Sequence, residues 1–294
     1  MFLNSVVFPA PQENKIYELK RHLNDIIFVP KKTENNKEFH IPCFYQESNK
    51  NPKTNKIFLY FHGNAEDIFN STSNINIIKT SLPFHTISME YPGYSIYYQD
   101  KSAQIIEEDS LIVFDFLVKE CKMNPKNIIL CGRSIGSGAA TYLASKRKPG
   151  GLILISPILS IQNAASSILG KLKFIVKDRF NNFERIKDVT CPTLIIHGQK
   201  DSLIPFQHSI ILAERTSGPY ELVLPEGMTH NDMLVYEDFL DPITSFLKRY
   251  NLMDRTYGDF YINPQYLKIP DYLNDTSLSN KDKTSEIIRK FLKI

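Results

Sequence analysis

"CGRSIGSGAA", residues 131–140, packs three glycines and two alanines around Ser134, and its reading decides the fold. G-x-S-x-G between a buried strand and a small-residue helix is a mechanical device. The strand turns sharply into the helix, and the residue at the turn takes a strained backbone conformation. The flanks fit: the apolar "NIILC" (127–131) precedes the motif and "GSGAATYLASK" (136–146) follows it. Ser134 then projects at the carboxyl edge of a sheet, where α/β proteins bind ligands. The competing reading is a helix start in which small residues only allow backbones to pack closely, and five residues do not decide between the two.

The decision comes from residues further along. A serine hydroxyl is a poor nucleophile until a base takes its proton, so a nucleophilic Ser134 demands a carboxylate and a histidine in the order Ser, Asp, His. "TLIIHGQKDSLIP" (193–205) places Asp201 a few residues beyond a buried strand, and "YELVLPEGMTHNDM" (220–233) places His230 in the loop after the next one. Both fall at the same edge as Ser134. An aspartate after a strand is by itself a turn former, and a lone loop histidine is usually solvated or capping; three such residues in this order point to nucleophilic catalysis. The chemistry also needs backbone N–H groups to meet the developing oxyanion, each worth roughly a hundredfold to a thousandfold in rate. "LYFHGNAED" (59–67) ends an inner strand in a turn, so the expected donors are the amide of Asn64, or that of Ala65, and the amide of Ile135 after the nucleophile. His62 is expected to order this loop. His197, His208 and the tyrosines of "YPGYS" (91–95) are read as structural.

Outward from these residues, short apolar runs alternate with helical patterns. "IIFVP" (26–30) and "IPCFYQ" (41–46) read as a leading antiparallel pair; "KIFLYF" (56–61), "HTISMEY" (85–91), "NIILCG" (127–132), "GLILIS" (151–156), "TLIIHG" (193–198) and "YELVLP" (220–225) read as further strands. The near-continuous apolar kind belongs to parallel strands buried on both faces. Residues 104–121 carry Ile105, Ile106, Ile112, Val113, Phe116 and Leu117 at helical spacing. The expected class is α/β: a mostly parallel eight-stranded sheet with helices on both faces. Residues 158–183 break the rhythm and are expected to form a short apolar cap through Ile161, Ile168, Leu169, Leu172, Phe174 and Ile175. Residues 1–250 are read as the sheet domain and 251–294 as a tail without clear period.

Composition narrows the function classes. Basic and acidic residues number 35 and 32 over 294 residues, and the excess sits in 281–294, where five basic residues face two acidic ones and leave 30 of each sign before them. No general field draws the main domain to nucleic acid. Four widely spaced cysteines form neither a disulfide scaffold nor a zinc site, and no phosphate-binding loop motif occurs. No metal or other cofactor is expected. The first residues, "MFLNSVVFPAPQ", lack a basic stretch and bear an early proline, so an intracellular, cytoplasmic address is the expectation. In "SEIIRKFLKI", Ile287, Ile288, Phe291 and Leu292 lie beside Arg289, Lys290 and Lys293. That pattern suits a basic amphipathic helix on its own domain, on a protein partner or peripherally on an anionic membrane.

With "VVFPAPQE", "HGNAED", "YPGYS", "GRSIGSG", "IIHGQKDSLIP" and "GMTHNDM" in order over about 1–250, the chain resembles the α/β-hydrolases, in particular the alpha/beta-hydrolase-domain proteins that remove palmitate from cysteine thioesters and their serine-aminopeptidase-like relatives. The resemblance implies the α/β-hydrolase fold, the triad Ser134, Asp201 and His230, and an acylated substrate, including S-acylated protein. It departs at two places: the cysteine-rich, acylated N-terminus of those depalmitoylating proteins has no match before Cys43, and the tail beyond 250 has no counterpart. The expected function is a serine hydrolase, an esterase or thioesterase acting through an acyl-enzyme. A peptidase or small-ester esterase with the same triad is one alternative. A non-catalytic hydrolase-fold subunit docked through its tail is another.

Overall fold

The computed structural model describes residues 21–32, 38–164, 178–253 and 260–270. Its strands are β1 (Ile26–Lys32), β2 (Glu38–Gln46), β3 (Ile57–Phe61), β4 (His85–Met89), β5 (Ile128–Arg133), β6 (Gly151–Ile155), β7 (Thr193–Ile196) and β8 (Tyr220–Val223). They form one eight-stranded sheet in the order β1-β2-β4-β3-β5-β6-β7-β8. β1 pairs antiparallel with β2, β2 pairs antiparallel with β4, and the remaining pairs are parallel. Each strand read from the sequence is present, with ends shifted by at most three residues.

The apolar runs are continuous because their alternate residues feed two cores. In β3, Leu59 and Phe61 enter one cluster with Leu130 and Leu154, while Phe58 and Tyr60 enter the opposite one with Cys131 and Ile153. A strand that buries both faces has no polar side to show. The helices that cover these faces are α1 (Thr72–Ser81), α2 (Ala103–Lys119), α3 (Gly136–Lys146), the short α4 (Asn182–Arg185), α5 (Gln207–Arg215) and α6 (Asp241–Arg249). On α2, Ile106, Val113 and Leu117 are buried at helical spacing; each apolar side chain so buried contributes roughly 1.5–3 kcal/mol. Asp109 is buried on the same stripe because it accepts from Lys31 Nζ of β1 at 2.6 Å and from the Tyr97 hydroxyl at 2.7 Å, which ties the helix to the sheet.

The ends of the insertion at 158–183 are tied together, with Ile161 N donating to Arg179 O at 2.9 Å and Phe183 N to Leu159 O at 3.1 Å. Ile161 is buried next to this neck, in the core cluster that also holds Ile158, Leu159 and Ile135. The other expected cap residues, Ile168 to Ile175, lie outside the described residues, as do 281–294 and the N-terminal "VVFPAPQE". Beyond the boundary drawn at 250, residues 260–270 lie against the sheet domain: Tyr266 meets Phe116 edge-on at 4.8 Å and Phe260 stands 5.7 Å from Tyr45. Among the described residues, no helix is long and apolar enough to cross a membrane.

Candidate active site

The strand order reverses direction between β3 and β5, and parallel sheets gather ligands at such a switch point. Register aligns the strand ends there: Phe61 is opposite Gly132, and Arg133, Ile155, Ile196 and Val223 follow one another across the sheet. The loops after β3, β5, β7 and β8 therefore leave from one edge. They carry Asn64, Ser134, Asp201 and His230.

Ser134 sits between β5 and α3 with φ 52°, in the left-handed region, a conformation that costs a non-glycine residue about 1–3 kcal/mol and persists only where the surroundings enforce it. Its N–H donates to Ile155 O at 2.8 Å, and its carbonyl accepts from Ser137 Oγ at 2.6 Å. The motif's outer glycines make the turn fit. A Cβ on Gly132 would lie 2.5 Å from Gly136 O; one on Gly136 would lie 2.2 Å from Phe61 O and 2.6 Å from His62 O. Glycine at 136 thus lets α3 start in contact with the end of β3, which brings the His62–Asn64 loop beside Ser134. The close packing of the small residues and the strained serine are one structure.

The three residues that the order Ser, Asp, His demanded converge. His230 Nε2 is 3.1 Å from Ser134 Oγ, and Nδ1 is 2.7 Å from Asp201 Oδ2. Asp201 Oδ1 accepts from the amides of Leu203 and Ile204 at 2.9 and 2.8 Å. Burial alone would raise the Asp201 carboxyl, but hydrogen bonds from His197, His230 and the Ile204 amide overcome it and hold the group well below the usual carboxylate range. Ile135 follows the serine in the chain, and Asn64 lies on the loop after β3. Tyr94 donates its hydroxyl to Asn64 Oδ1 at 3.1 Å, and Ile135 is the N-cap of α3, so its amide is one of those left without an intrahelical acceptor.

His62 is fully buried, stacked on Tyr91 at 3.9 Å and bonded to Glu90 Oε1 at 3.1 Å, in keeping with a loop-ordering role. His197, read as structural, also reaches the candidate site. Its Nε2 contacts both Ile204 O at 2.9 Å and Asp201 Oδ2 at 3.2 Å, while Nδ1 meets Ser209 Oγ at 2.6 Å. Ile204 O can only accept, so Nε2 carries the proton, and His197 is a second donor to the carboxylate. Its spacing of four from Asp201 was the available signal. Among the described residues, no group of three His, Cys, Asp or Glu is placed to hold a metal ion.

His208, read as structural, yields a pH-dependent expectation. Its Nδ1 accepts from Leu159 N at 3.3 Å, and burial, then the neighbouring His197, push its pKa down to about 4. An unfolded histidine titrates near 6.5. Between these values the unfolded chain binds a proton that the folded chain refuses, so stability falls as pH drops from about 6.5 towards about 4. In His208→Asn, whose amide oxygen can still accept from Leu159, the loss of urea midpoint between pH 7 and pH 5 should be smaller than in wild type. Equal losses in the two proteins would remove His208 as its source.

Comparisons with known proteins bear on the family and the fold. A family described as alpha/beta hydrolase of unknown function (DUF1057) matches residues 25–177. The alpha/beta hydrolase domain-containing protein aho-3 of Caenorhabditis elegans is 31% identical over 196 residues, which is 67% of this chain and 58% of that protein. Alpha/beta hydrolase domain-containing protein 17B of Homo sapiens is 29% identical over 217 residues, 74% of each chain. The chain thus spans little more than half of the first of these relatives. Among solved structures, the esterase Pf2001 of Pyrococcus furiosus superposes with a TM-score of 0.63 at 16% identity, covering 82% of this chain and 98% of its own. A Mycobacterium tuberculosis puromycin-hydrolyzing peptidase gives 0.62 at 14% identity over 80% of this chain and 42% of its own. At such identities these two speak for the fold alone, whereas the family match spans just over half of the 294 residues and runs through the elbow at Ser134: the chain belongs to the alpha/beta hydrolases.

Proposed function

We propose that this alpha/beta hydrolase is a serine hydrolase that cleaves acyl esters or thioesters through an acyl-enzyme on Ser134. The observation that carries the reading is the continuous hydrogen-bonded line from Ser134 Oγ through His230 to Asp201, with the serine in a strained turn. Asp201 accepts the Nδ1 proton and leaves Nε2 free to act as base. The Ser134 hydroxyl proton passes to Nε2 as Oγ bonds to the carbonyl carbon. The negative charge that moves to the carbonyl oxygen is met by the amides of Ile135 and Asn64. Collapse breaks the bond to the leaving oxygen or sulfur, and His230 returns the proton to it. Water then repeats the sequence on the acyl-enzyme and frees the acid.

An acyl chain is favoured as the substrate's apolar part by what the loops expose. Leu203 on the Asp201 loop is 42% exposed, and just past His230 the consecutive Leu234, Val235 and Tyr236 are 63%, 43% and 58% exposed; an apolar run left in solvent suits contact with an apolar group. The resemblance to depalmitoylating proteins makes an S-acylated cysteine the substrate to test first. A fluorophosphonate should form one adduct on the wild-type protein, mapped by mass spectrometry to Ser134: Oγ bonds to phosphorus, fluoride leaves, and the hydroxyl proton goes to His230. The same protein should hydrolyse S-octanoyl-cysteine peptides. Folded protein without an adduct would overturn the hydrolase mechanism; turnover of aminoacyl amides without thioester turnover would reassign it as a peptidase.

A further inference from the structure

The residue inside the motif just before the nucleophile, Arg133, reaches two loops that carry other parts of the site. Its Nη1 donates to Glu66 Oε1. Its Nη2 donates to the carbonyl of His230 at 2.9 Å and to Asn231 Oδ1 at 3.2 Å. Glu66 in turn accepts from the Gly63 amide at 2.9 Å through Oε2. One ion pair therefore links the backbone beside the nucleophile, the backbone of the histidine, and the amide next to Asn64.

Gly63 belongs to the same arrangement. A Cβ there would sit 2.8 Å from Arg133 Nη1 and 3.3 Å from Glu66 Oε2, so its lack of a side chain makes room for the pair. The pair also fixes the use of the amides in this loop: with Gly63 N taken by Glu66, the loop's oxyanion donor falls to a later residue. The histidine loop needs an outside anchor. Its turn is closed on itself by Thr229, whose amide donates to Asp232 O at 2.9 Å and whose hydroxyl accepts from Asp232 N at 2.9 Å. It is tied to the Asp201 loop through Met228 O, which accepts from Lys200 N at 3.1 Å. Arg133 supplies the tie towards the serine.

We infer that Arg133 and Glu66 are positioning residues that hold the oxyanion loop and the His230 loop at a fixed separation across Ser134. The inference rests on the serine-hydrolase reading above. A guanidinium suits the task because its planar donors serve three acceptors at once, whereas an ammonium is a single compact charge. Neither residue needs to touch substrate. Loss of the clamp should therefore act on the reaction step and not on substrate capture, since a misplacement of about 1 Å costs as much as a hundredfold in rate.

The experiment compares Arg133→Gln, Arg133→Lys, Glu66→Gln and the double variant Glu66→Gln with Arg133→Gln, using p-nitrophenyl octanoate turnover and the rate of fluorophosphonate labelling. Arg147→Gln, which removes a comparable pair with Asp115 (2.8 Å) on the far end of α3, is the control. Arg133→Gln should lower kcat and the labelling rate at least tenfold with KM within twofold of wild type. Arg133→Lys should recover part of the loss, and the double variant should be little worse than the poorer single one, as coupled partners require. Arg147→Gln should label at the wild-type rate. Should Arg133→Gln fail to fold, Glu66→Gln carries the test with an expected loss of several-fold. Wild-type rates in both Arg133→Gln and Glu66→Gln, or additive losses in the double variant, would overturn the clamp. Absence of labelling in wild type would instead remove the reading beneath it.

Discussion

Asp201→Asn is expected to lower kcat by about 10,000-fold, the size of effect seen when a serine-protease triad loses its carboxylate in this way. The substitution keeps shape and removes charge, and the contacts around Asp201 leave the amide no good orientation. With its oxygen towards the amides of Leu203 and Ile204, which need an acceptor, its NH2 faces His197 Nε2 and His230 Nδ1. The first of these carries a proton, so two donors collide. The second must then become an acceptor, which puts the His230 proton on Nε2, where it cannot receive the one from Ser134. With the amide flipped, the two backbone donors lose their partner instead, at about 1–3 kcal/mol for each unsatisfied buried group. The readout is steady-state kcat together with the fluorophosphonate labelling rate, beside circular dichroism to show retained fold. A folded Asp201→Asn protein that keeps more than about a tenth of wild-type kcat would mean that Asp201 does not set the His230 tautomer.

The sheet was legible because its rule is local. A strand buried on both faces must be apolar throughout, and "IFLYF" and "LILI" can be read that way without knowing their neighbours. Ser134, Asp201 and His230 were legible for a different reason: each follows a strand, and parallel strands deliver their outgoing loops to one edge whatever lies between them. Arg133 and Glu66 had no such mark. Arg133 lies 67 residues from Glu66 and 97 from His230 in sequence, and nothing in an arginine before a serine says which loops a long side chain will bridge. The stretch 260–270 has no periodicity because separate aromatic residues dock it at different places, Phe260 on Tyr45 of β2 and Tyr266 on Phe116 of α2, without a repeating face.

Glu90→Ala is expected to cost about 3–5 kcal/mol, as loss of one partner from a buried ion pair does, and so to lower Tm by roughly 5–8 °C, given about 2 cal/mol/K of unfolding entropy per residue. Both Glu90 and His62 are fully buried. Glu90 Oε1 meets His62 Nε2 at 3.1 Å and accepts from the Tyr91 amide at 2.9 Å; Oε2 accepts from the Ile68 amide at 3.3 Å. The second imidazole nitrogen faces Gly63 O at 3.0 Å, an oxygen that can only accept, so Nδ1 holds a proton whatever the state of Nε2. Burial by itself would lower the His62 pKa, but the hydrogen bond and charge of Glu90 outweigh it and raise it above the ordinary histidine value. A proton held more tightly in the fold than in the unfolded chain stabilises the fold fully below about pH 6.5, and this contribution is lost as pH rises through the folded value. The Tm difference between wild type and Glu90→Ala should therefore be larger at pH 6 than at pH 9. A difference that does not change with pH would assign the loss to the stranded amides of Ile68 and Tyr91 and not to the charged pair. Because the Tyr91 hydroxyl also donates to His62 O at 2.8 Å, the same substitution should loosen the turn that carries Asn64, and folded Glu90→Ala should label at Ser134 more slowly than wild type even at temperatures well below its own midpoint.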